Sequence, residues 1–189
     1  MAASRFMGKV VAGASMSLDG FINDRNGNIG PLYPDFEAYR ASELLQRAIR
    51  ATGAVVMGRG TYDLGLGDLN DYEFQVPIFV LTHHPPATPP PGQNDKLTIT
   101  FVTDGIASAL EQAKAAAGDK DVTVVGGANT AQQLLQAGLV DELDVDIVPR
   151  LLGQGLRFFE HLEELEIELA LIEVIHSPAR TSLLYRVVK

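Results

Sequence analysis

Short apolar, β-branched runs alternate along this chain with segments that have helical spacing, and this alternation restricts the folds that the chain can adopt. The run at 54–57 passes directly into the sequence GRGT, and the run at 122–125 passes into GGANT. Strands that alternate with helices are typical of α/β proteins in which helices flank a largely parallel sheet. The pattern therefore predicts an α/β fold with two strands that each end at a glycine-rich turn.

The same alternation continues through the rest of the first 140 residues. Apolar residues at helical spacing predict a helix from Asp35 to Ala51, with Gly53 where a C-terminal cap is expected. Five prolines in residues 85–92 exclude regular structure there and indicate a surface loop. Further strands are predicted at 9–16, 76–82, 97–102 and 121–127, and further helices at 106–118 and 129–138.

In the last 50 positions, apolar and polar residues alternate one by one. In 142–148 leucine, valine and isoleucine alternate with acids, and 164–174 alternates again before a turn at the sequence SPAR. The segment 181–188 then resumes an apolar, strand-like run. Such patterns are typical of paired strands. The sheet is therefore expected to finish with a C-terminal antiparallel hairpin beside its mostly parallel part.

Length and charge exclude several classes of protein. The 189 residues fit one domain of ordinary size, and we predict a single domain over 1–189. The formal net charge is -9 and the 15 basic residues are scattered, which argues against nucleic acid or anionic membrane as a partner. No apolar run approaches the ~20 residues that cross a bilayer. The short apolar run near the N-terminus is interpreted as a first strand rather than a signal peptide.

Metal and thiol chemistry have little support in this sequence. Cysteine is absent, so disulfides, thiolate ligands and cysteine nucleophiles are excluded, and a cytoplasmic location is the default expectation. His83 and His84 form a pair before the prolines, but no spaced carboxylate offers a third metal ligand. Contact with a ligand or a place on the loop surface is favoured for this pair, and we expect no metal site.

The two glycine-rich turns have the composition of a phosphate site. Where a parallel strand turns into a helix, the first helical N–H groups lack partners and attract anions, and glycine allows close approach. Arg59 adds a planar guanidinium suited to phosphate, while Asn129 or Thr130 is expected to cap the second helix. The spacing is not that of the G-x-G-x-x-G motif. Turns alone are the alternative interpretation, but two junctions with Arg59 favour one shared ligand.

Four segments together carry a resemblance to a known family. The sequences VVAGASMSLDGFI, VVMGRGTYD, IFVLTHH and VVGGANTAQQLL, in this order and at these separations, resemble the dihydrofolate reductase superfamily. Within it, SLDG is more similar to the branch that contains the reductase domain of riboflavin biosynthesis. The resemblance implies an eight-stranded mixed sheet flanked by helices, NADPH bound across the strand ends, and hydride transfer to a heterocycle or imine.

The resemblance also implies particular ligand contacts. At Leu151, Leu152 and Gly153 it implies a wall against which substrate packs, with a plain glycine-rich connection as the alternative. Arg59 would lie at the adenosine phosphate and so favour NADPH over NADH. The implied cofactor contacts are Ser15 and Ile22 beside the nicotinamide, Leu81, Thr82 and His83 along the adenosine, and Gly58, Arg59, Thr61, Gly126, Gly127, Ala128, Asn129 and Thr130 at the phosphates.

The source of the proton is harder to locate. Dihydrofolate reductases resemble one another in a carboxylate on the first helix, and the corresponding position here falls near Ser42, with Glu43, Asp35 and Glu37 close by. These acids are equally explained by the helix dipole or by solvent exposure. Asp19 in SLDG is the preferred catalytic candidate, because it would stand at the mouth of the site; a turn-forming role is the alternative.

The sequence as a whole predicts an NADPH-dependent reductase of a small pyrimidine-like or pterin-like substrate. Two alternatives stay open: a nucleotide-binding module without activity, and a true dihydrofolate reductase. The C-terminal hairpin leaves a sheet edge that needs cover, and the resembling branch commonly pairs there. We therefore expect a homodimer.

Overall fold

The computed structural model of the chain describes residues 8–65, 71–88, 90–162 and 165–189. Its centre is a sheet whose eight strands follow the order β4-β3-β2-β5-β1-β6-β8-β7 within these residues. The strands are β1 (Val10–Ser17), β2 (Thr52–Gly58), β3 (Ile78–Leu81), β4 (Ile99–Val102), β5 (Asp121–Val125), β6 (Glu142–Val148), β7 (Leu169–His176) and β8 (Thr181–Val187). The helices are α1 (Phe36–Arg40), α2 (Glu43–Ala51), α3 (Arg59–Leu64), α4 (Ile106–Ala117) and α5 (Ala128–Gln136), with a short 3-10 turn at Gly30–Leu32.

Strand direction confirms the predicted fold class. Every neighbouring pair from β4 to β6 in the sheet order is parallel, whereas β6 with β8 and β8 with β7 are antiparallel. The C-terminal hairpin is therefore confirmed, although the first residue of the predicted segment 164–174 and position 89 of the proline-rich loop lie outside the described residues. None of the helices within the described ranges is long and apolar enough to cross a membrane.

The predicted helix from Asp35 to Ala51 is wrong in one respect, because it is two helices. Ser42 adopts an extended backbone and its hydroxyl accepts the Leu45 N–H at 3.2 Å, which is an N-cap that starts α2. Gly53 is not a helix cap either, since it belongs to β2. A Cβ there would lie 2.7 Å from the Ala117 carbonyl oxygen, so glycine is required by close packing against the end of α4.

The start of α5 also differs from the sequence prediction. Gly127 occupies the N-cap position with a φ of 73°, and no side chain caps the helix. Asn129 and Thr130, the predicted caps, lie inside the first turn, and Thr130 is buried. The first amides of α5 are thus not satisfied by a capping side chain.

The two faces of the sheet are covered differently. One face packs α4 and α5 onto a core that includes Val10, Ala12 and Val124. On the opposite face, the half of the sheet around β2 and β3 forms a second core with Leu45 of α2 and Tyr62 of α3. The β1–β6 half of that opposite face carries a serine and three carboxylate side chains, which line a cleft. This polar half is where the sheet leaves room for ligands.

Candidate functional site

The two glycine-rich junctions meet in the folded chain. β2 and β5 are adjacent and parallel, so GRGT and GGANT emerge at the same edge of the sheet. A Cβ on Gly58 would lie 2.7 Å from the Thr130 hydroxyl, and Cβ atoms on Gly126 and Gly127 would lie 3.2 and 3.1 Å from the Thr61 hydroxyl. Each junction therefore presses a threonine against the glycines of the other. Both glycines of the second junction also have positive φ, at 57° and 73°.

A cleft of about 1550 Å³ runs from these junctions along the polar half of the sheet. Ligand pockets are typically about 300 to 1,000 Å³, so this space suits two ligands side by side better than one. Every residue for which a cofactor contact was predicted lines this one cleft. They are Ser15, Ile22, Gly58, Arg59, Thr61, Leu81, Thr82, His83, Gly126, Gly127, Ala128, Asn129 and Thr130. Their contacts with a cofactor stay predictions.

Arg59 is held in place at the cleft wall rather than extended into solvent. Its Nε donates to Asp63 Oδ1 at 2.7 Å, and its Nη1 donates to the His84 carbonyl oxygen at 2.7 Å. The Thr82 hydroxyl accepts the His84 N–H at 3.2 Å, which shapes the same loop. The guanidinium therefore joins the first junction to the loop that follows β3. Holding it there reduces the conformational entropy lost when an anion binds.

The polar half of the sheet contains a buried charge cluster that was not predicted from the sequence. Arg180, which is 4% exposed, donates from Nη1 to Ser15 Oγ at 3.0 Å and to Asp146 Oδ2 at 3.1 Å. Its Nε donates to Asp35 Oδ2 at 3.0 Å, and Ser182 donates to the Asp146 carboxylate. The Arg180 guanidinium keeps the pKa of the Asp35 carboxyl below its usual value.

This cluster ties three distant parts of the chain together. Asp35 precedes α1, Asp146 lies in β6, and Arg180 ends the turn between β7 and β8. The Arg180 guanidinium also lies over the Tyr39 ring, 4.0 Å from its centroid. The cluster holds the Ser15 hydroxyl in place on the cleft wall. The only sequence signal was an acid pattern in β6 that resembled a solvent-facing surface, and pairing across 145 positions leaves no local pattern to recognise.

Asp144 lies two residues before Asp146 on the same strand face and also lines the cleft. None of the described residues donates a hydrogen bond to its carboxylate. Burial, followed by the nearby Asp146 charge, raises the pKa of Asp144 from 3.8 to about 6, against an opposing effect of Arg47. Sequence reasoning did not single out this residue, because one acid among several in an alternating strand carries no distinguishing signal.

Asp19, the predicted catalytic acid, holds a loop together in the structure. Its carboxylate accepts the Ser17 hydroxyl at 2.6 Å and the backbone N–H groups of Leu152 and Gly153 at 3.1 and 2.8 Å. The hydrogen bond from Ser17 is the largest cause that lowers the pKa of Asp19 to about 2. A carboxyl group with that pKa stays ionised near neutral pH and has no proton to give. We therefore favour the turn-forming alternative for Asp19.

The predicted substrate wall is the loop that Asp19 clamps. Leu151 is 73% exposed, and neither it nor Leu152 or Gly153 lines the cleft. Leu156, farther along the same connection, does line it. The structure thus gives the LLG sequence a place next to the site but not in its wall, and the predicted substrate contact has no support from the cleft geometry.

The acids near the first helices do not line the cleft either. Asp35 is paired with Arg180, Glu43 forms an exposed ion pair with Arg50, and Glu37 is exposed in the first turn of α1. Ser42 is occupied as the cap of α2. Three of the carboxylates that line the cleft come from β6 instead, which is a different arrangement from a carboxylate on the first helix.

Comparison with known proteins shows which family this architecture resembles. The chain matches the family model of the RibD C-terminal domain over residues 8–182. A putative riboflavin biosynthesis protein from Shewanella sp. PV-4 is similar in structure, with a TM-score of 0.78, 24% sequence identity, and coverage of 96% of this chain and 99% of that one. No match was found among curated proteins.

Two further solved structures share the fold at lower identity. The riboflavin biosynthesis reductase Rib7 of Saccharomyces cerevisiae has a TM-score of 0.62 and 15% identity, with coverage of 100% of this chain and 93% of that one. A dihydrofolate reductase from Enterococcus faecalis, complexed with NADP(H) and RAB-propyl, has a TM-score of 0.59 and 18% identity, with coverage of 97% and 99%. With a dihydrofolate reductase-like fold and a family match over nearly its whole length, the chain belongs to the RibD C-terminal domain family.

Proposed function

We propose that this protein is an NADPH-dependent reductase that transfers a hydride to a small heterocyclic or imine substrate of pyrimidine-like or pterin-like form. The observation that carries the proposal is the meeting of both glycine-rich junctions at one end of a single cleft whose other end is polar. Family membership supports it, because the similar solved proteins include a riboflavin biosynthesis reductase and a dihydrofolate reductase complexed with NADP(H).

The residues present at the junctions fit a dinucleotide phosphate group. Gly58, Gly126 and Gly127 let the two junctions pack against each other at one edge of the sheet. Because α5 begins without a capping side chain, its first N–H groups can donate to a phosphate. Arg59 supplies a positive charge at the same end of the cleft. A bound dihydronicotinamide would supply the hydride. This chain's residues would bind and orient the cofactor and exclude water.

The polar end of the cleft fits a substrate with ring nitrogens. Arg180 cannot offer its charge to an anionic substrate, since Asp35 and Asp146 both pair with it. Ser15 remains as a hydroxyl group fixed beside the predicted nicotinamide position. Carboxylate and hydroxyl groups in this region complement the N–H groups of an amino-substituted heterocycle. We therefore favour this class of substrate over a substrate recognised through a phosphate at this end.

The test is to measure ligand binding and turnover separately. A ligand at ~100 times its dissociation constant adds about 2.7 kcal/mol to stability, so NADPH should raise the melting temperature measurably. NADPH oxidation should then be followed with dihydrofolate, aminopyrimidine and quinonoid compounds. Turnover of an aminopyrimidine would support the proposal, and turnover of dihydrofolate alone would identify a true dihydrofolate reductase. Tight NADPH binding with no turnover would indicate a binding module, and failure of every nicotinamide nucleotide to bind would refute the proposal.

We also propose that the protein forms a homodimer through the C-terminal hairpin. β7 is an edge strand, and its side chains Leu171, Ile172 and Val174 are each about half exposed. An edge with unpaired backbone groups and apolar side chains favours pairing with a second copy. Light scattering at micromolar concentration should give twice the 20.3 kDa mass of the chain. A single species of 20.3 kDa would contradict the dimer and leave the reductase proposal intact.

A further inference from the structure

Asp144 differs from the other two acids of β6 that face the same side of the sheet. Glu142 accepts a hydrogen bond from Lys9 Nζ at 2.5 Å. Asp146 is satisfied by Arg180, Ser15 and Ser182. Asp144, which lies between them, receives no hydrogen bond from any described residue, and it is only partly exposed. A carboxylate left unpaired while both neighbours are paired is available for a ligand.

The surroundings of Asp144 leave space above it on the cleft side. In the strand pairing, Asp144 stands opposite Gly13 of β1 and Leu184 of β8, neither of which can hydrogen-bond through a side chain. Gly13 must be glycine, because a Cβ would lie 2.1 Å from the Asp144 carbonyl oxygen. Gly13 therefore places no side chain over the carboxylate. Ser15, predicted to flank the nicotinamide, is only two residues from Gly13.

A second, narrow opening reaches Asp144 from the outside. Its volume is about 10 Å³, close to the space that one water molecule needs. The Arg47–Glu173 ion pair, 2.6 Å long, lies at this opening and joins α2 to β7. Its lining residues are Leu44, Arg47, Asp144, Glu173, Ile175, Ser182 and Leu184. Asp144 thus borders both the cleft and this small hollow.

Charged groups from each neighbouring element act on the Asp144 carboxyl. Glu142 and Asp146 belong to its own strand, Glu173 comes from β7, and Arg47 comes from α2; Gly13 and Leu184 contribute no charge from β1 or β8. Burial is the largest effect and, with the three acids, outweighs Arg47, so the pKa is raised to about 6. At that value the group carries a proton for a useful fraction of the time near neutral pH.

We propose that Asp144 is the acid that protonates the substrate nitrogen when the neighbouring carbon receives the hydride, an inference that rests on the reductase function proposed above. The C=N bond of the substrate becomes CH–NH: the carbon takes the hydride and its two electrons from the dihydronicotinamide, which is oxidised. The nitrogen takes the proton from the Asp144 carboxyl group. The resulting carboxylate recovers a proton from solvent through the narrow opening beside Arg47 and Glu173.

The experiment compares Asp144→Asn, Asp144→Glu and the matched control Glu142→Gln, which removes a carboxylate from the same strand face. Each variant is assayed from pH 5 to 9 with the substrate from the panel above that wild type reduces fastest. The wild-type rate should fall as pH rises through about 6, since the acid must be protonated. Asp144→Asn should no longer show that pH dependence, and its rate should be about 10² to 10⁴-fold lower. The rise in melting temperature that NADPH causes should stay unchanged.

The variants separate a catalytic role from a structural one. Asp144→Glu should recover part of the rate and restore a pH dependence. Glu142→Gln should keep the fall in rate with rising pH, with a midpoint moved slightly lower, because Glu142 has the smallest effect of the three acids that raise the pKa of Asp144. The proposal would be overturned if the rate of the wild-type protein did not fall near pH 6, a result that needs no variant. It would also be overturned if Asp144→Asn kept the wild-type rate and pH dependence. Wild type that binds no nicotinamide nucleotide, or reduces nothing in the panel, would refute the proposed function itself, and this assignment with it.

Discussion

The two ends of the cleft are built in different ways. The glycine end consists of backbone: two strand-to-helix turns, free helical amides and one guanidinium, all within two short segments of the chain. The carboxylate end consists of side chains brought from before α1, from β1, from β6 and from the β7–β8 turn. The glycine end has the chemistry to bind an anion through N–H groups. The carboxylate end pairs Arg180 with Asp35 and Asp146, whereas the Asp144 carboxylate accepts no hydrogen bond from the residues that the structure describes.

The difference shows how one cleft can treat two ligands in opposite ways. Backbone amides cannot titrate, so the glycine end keeps the same preference for anions at every pH. The carboxylate end depends on ionisation, and its stability depends on Arg180 balancing Asp35 and Asp146. Removing a charge should therefore damage the second end more than the first.

The largest effect on stability is expected when Arg180 is removed. Arg180→Ala leaves Asp35 and Asp146 without their main partner, and breaking a buried pair from one side costs about 3 to 5 kcal/mol. The free energy of unfolding, measured with urea, should fall by that amount. Arg50→Ala is the control, because its ion pair with Glu43 is exposed and such pairs contribute about 0 to 1 kcal/mol. Equal small losses in both variants would show that the cluster is not structural.

The second prediction concerns the effect of the Asp144 carboxyl group on the free energy of unfolding. The pKa of Asp144 is raised from 3.8 to about 6 in the folded protein, so folding favours the protonated form. The contribution of the protonated Asp144 carboxyl to the free energy of unfolding is complete below pH 4 and is lost as pH rises through about 6. Two pKa units correspond to roughly 3 kcal/mol. Asp144→Asn should therefore be more stable than wild type at pH 8, by up to that amount, and the advantage should shrink towards pH 4.

Urea unfolding of both proteins at pH 4, 6 and 8 checks this expectation. An advantage that is constant with pH would show that the carboxylate is not the cause. Glu142→Gln is the appropriate control, since Glu142 is paired with Lys9 and its removal should bring no gain at pH 8.

The third prediction tests the anion preference of the glycine end. Arg59→Ala should weaken NADPH binding far more than NADH binding, because only NADPH carries the additional phosphate. A charge-assisted hydrogen bond of roughly 1.5 to 3 kcal/mol corresponds to about a ten-fold to hundred-fold preference. Titration of both cofactors against wild type and variant measures it. Equal losses for the two cofactors would mean that Arg59 contacts only the pyrophosphate, or serves only to join Asp63 to the His84 carbonyl.

The smallest expected effect concerns the fit between the two junctions. Gly58 has a φ of -80°, which alanine tolerates, so the cost of Gly58→Ala comes from the Thr130 hydroxyl 2.7 Å from the new Cβ. Overpacking of this kind costs about 1 to 3 kcal/mol. The double variant Gly58→Ala with Thr130→Ala should recover most of that loss. Additive losses in the double-mutant cycle would show that the junctions do not interlock at this contact.

Much of the architecture was predictable because its signals are local. The apolar periodicity gave the order and type of the strands and helices, and the glycine turns could be assigned to the ends of parallel strands. Because β2 and β5 are neighbours, both turns open onto one cleft, as the paired motifs had indicated. Errors occurred where the local signals were ambiguous: Ser42 begins a new helix, and Gly127 rather than Asn129 or Thr130 starts α5.

The sequence by itself determined the α/β sheet and the glycine end of the cleft, since strand periodicity and glycine turns depend on residues that are close along the chain. Only the tertiary structure decided the carboxylate end. Asp35, Asp146 and Arg180 become a cluster because α1, β6 and the β7–β8 turn are folded together. The same holds for Asp19 and Asp144, which are both aspartates in strand-associated segments. One is held ionised by hydrogen bonds and the other is driven towards its protonated form by burial and nearby acids, because a pKa depends on neighbours in space.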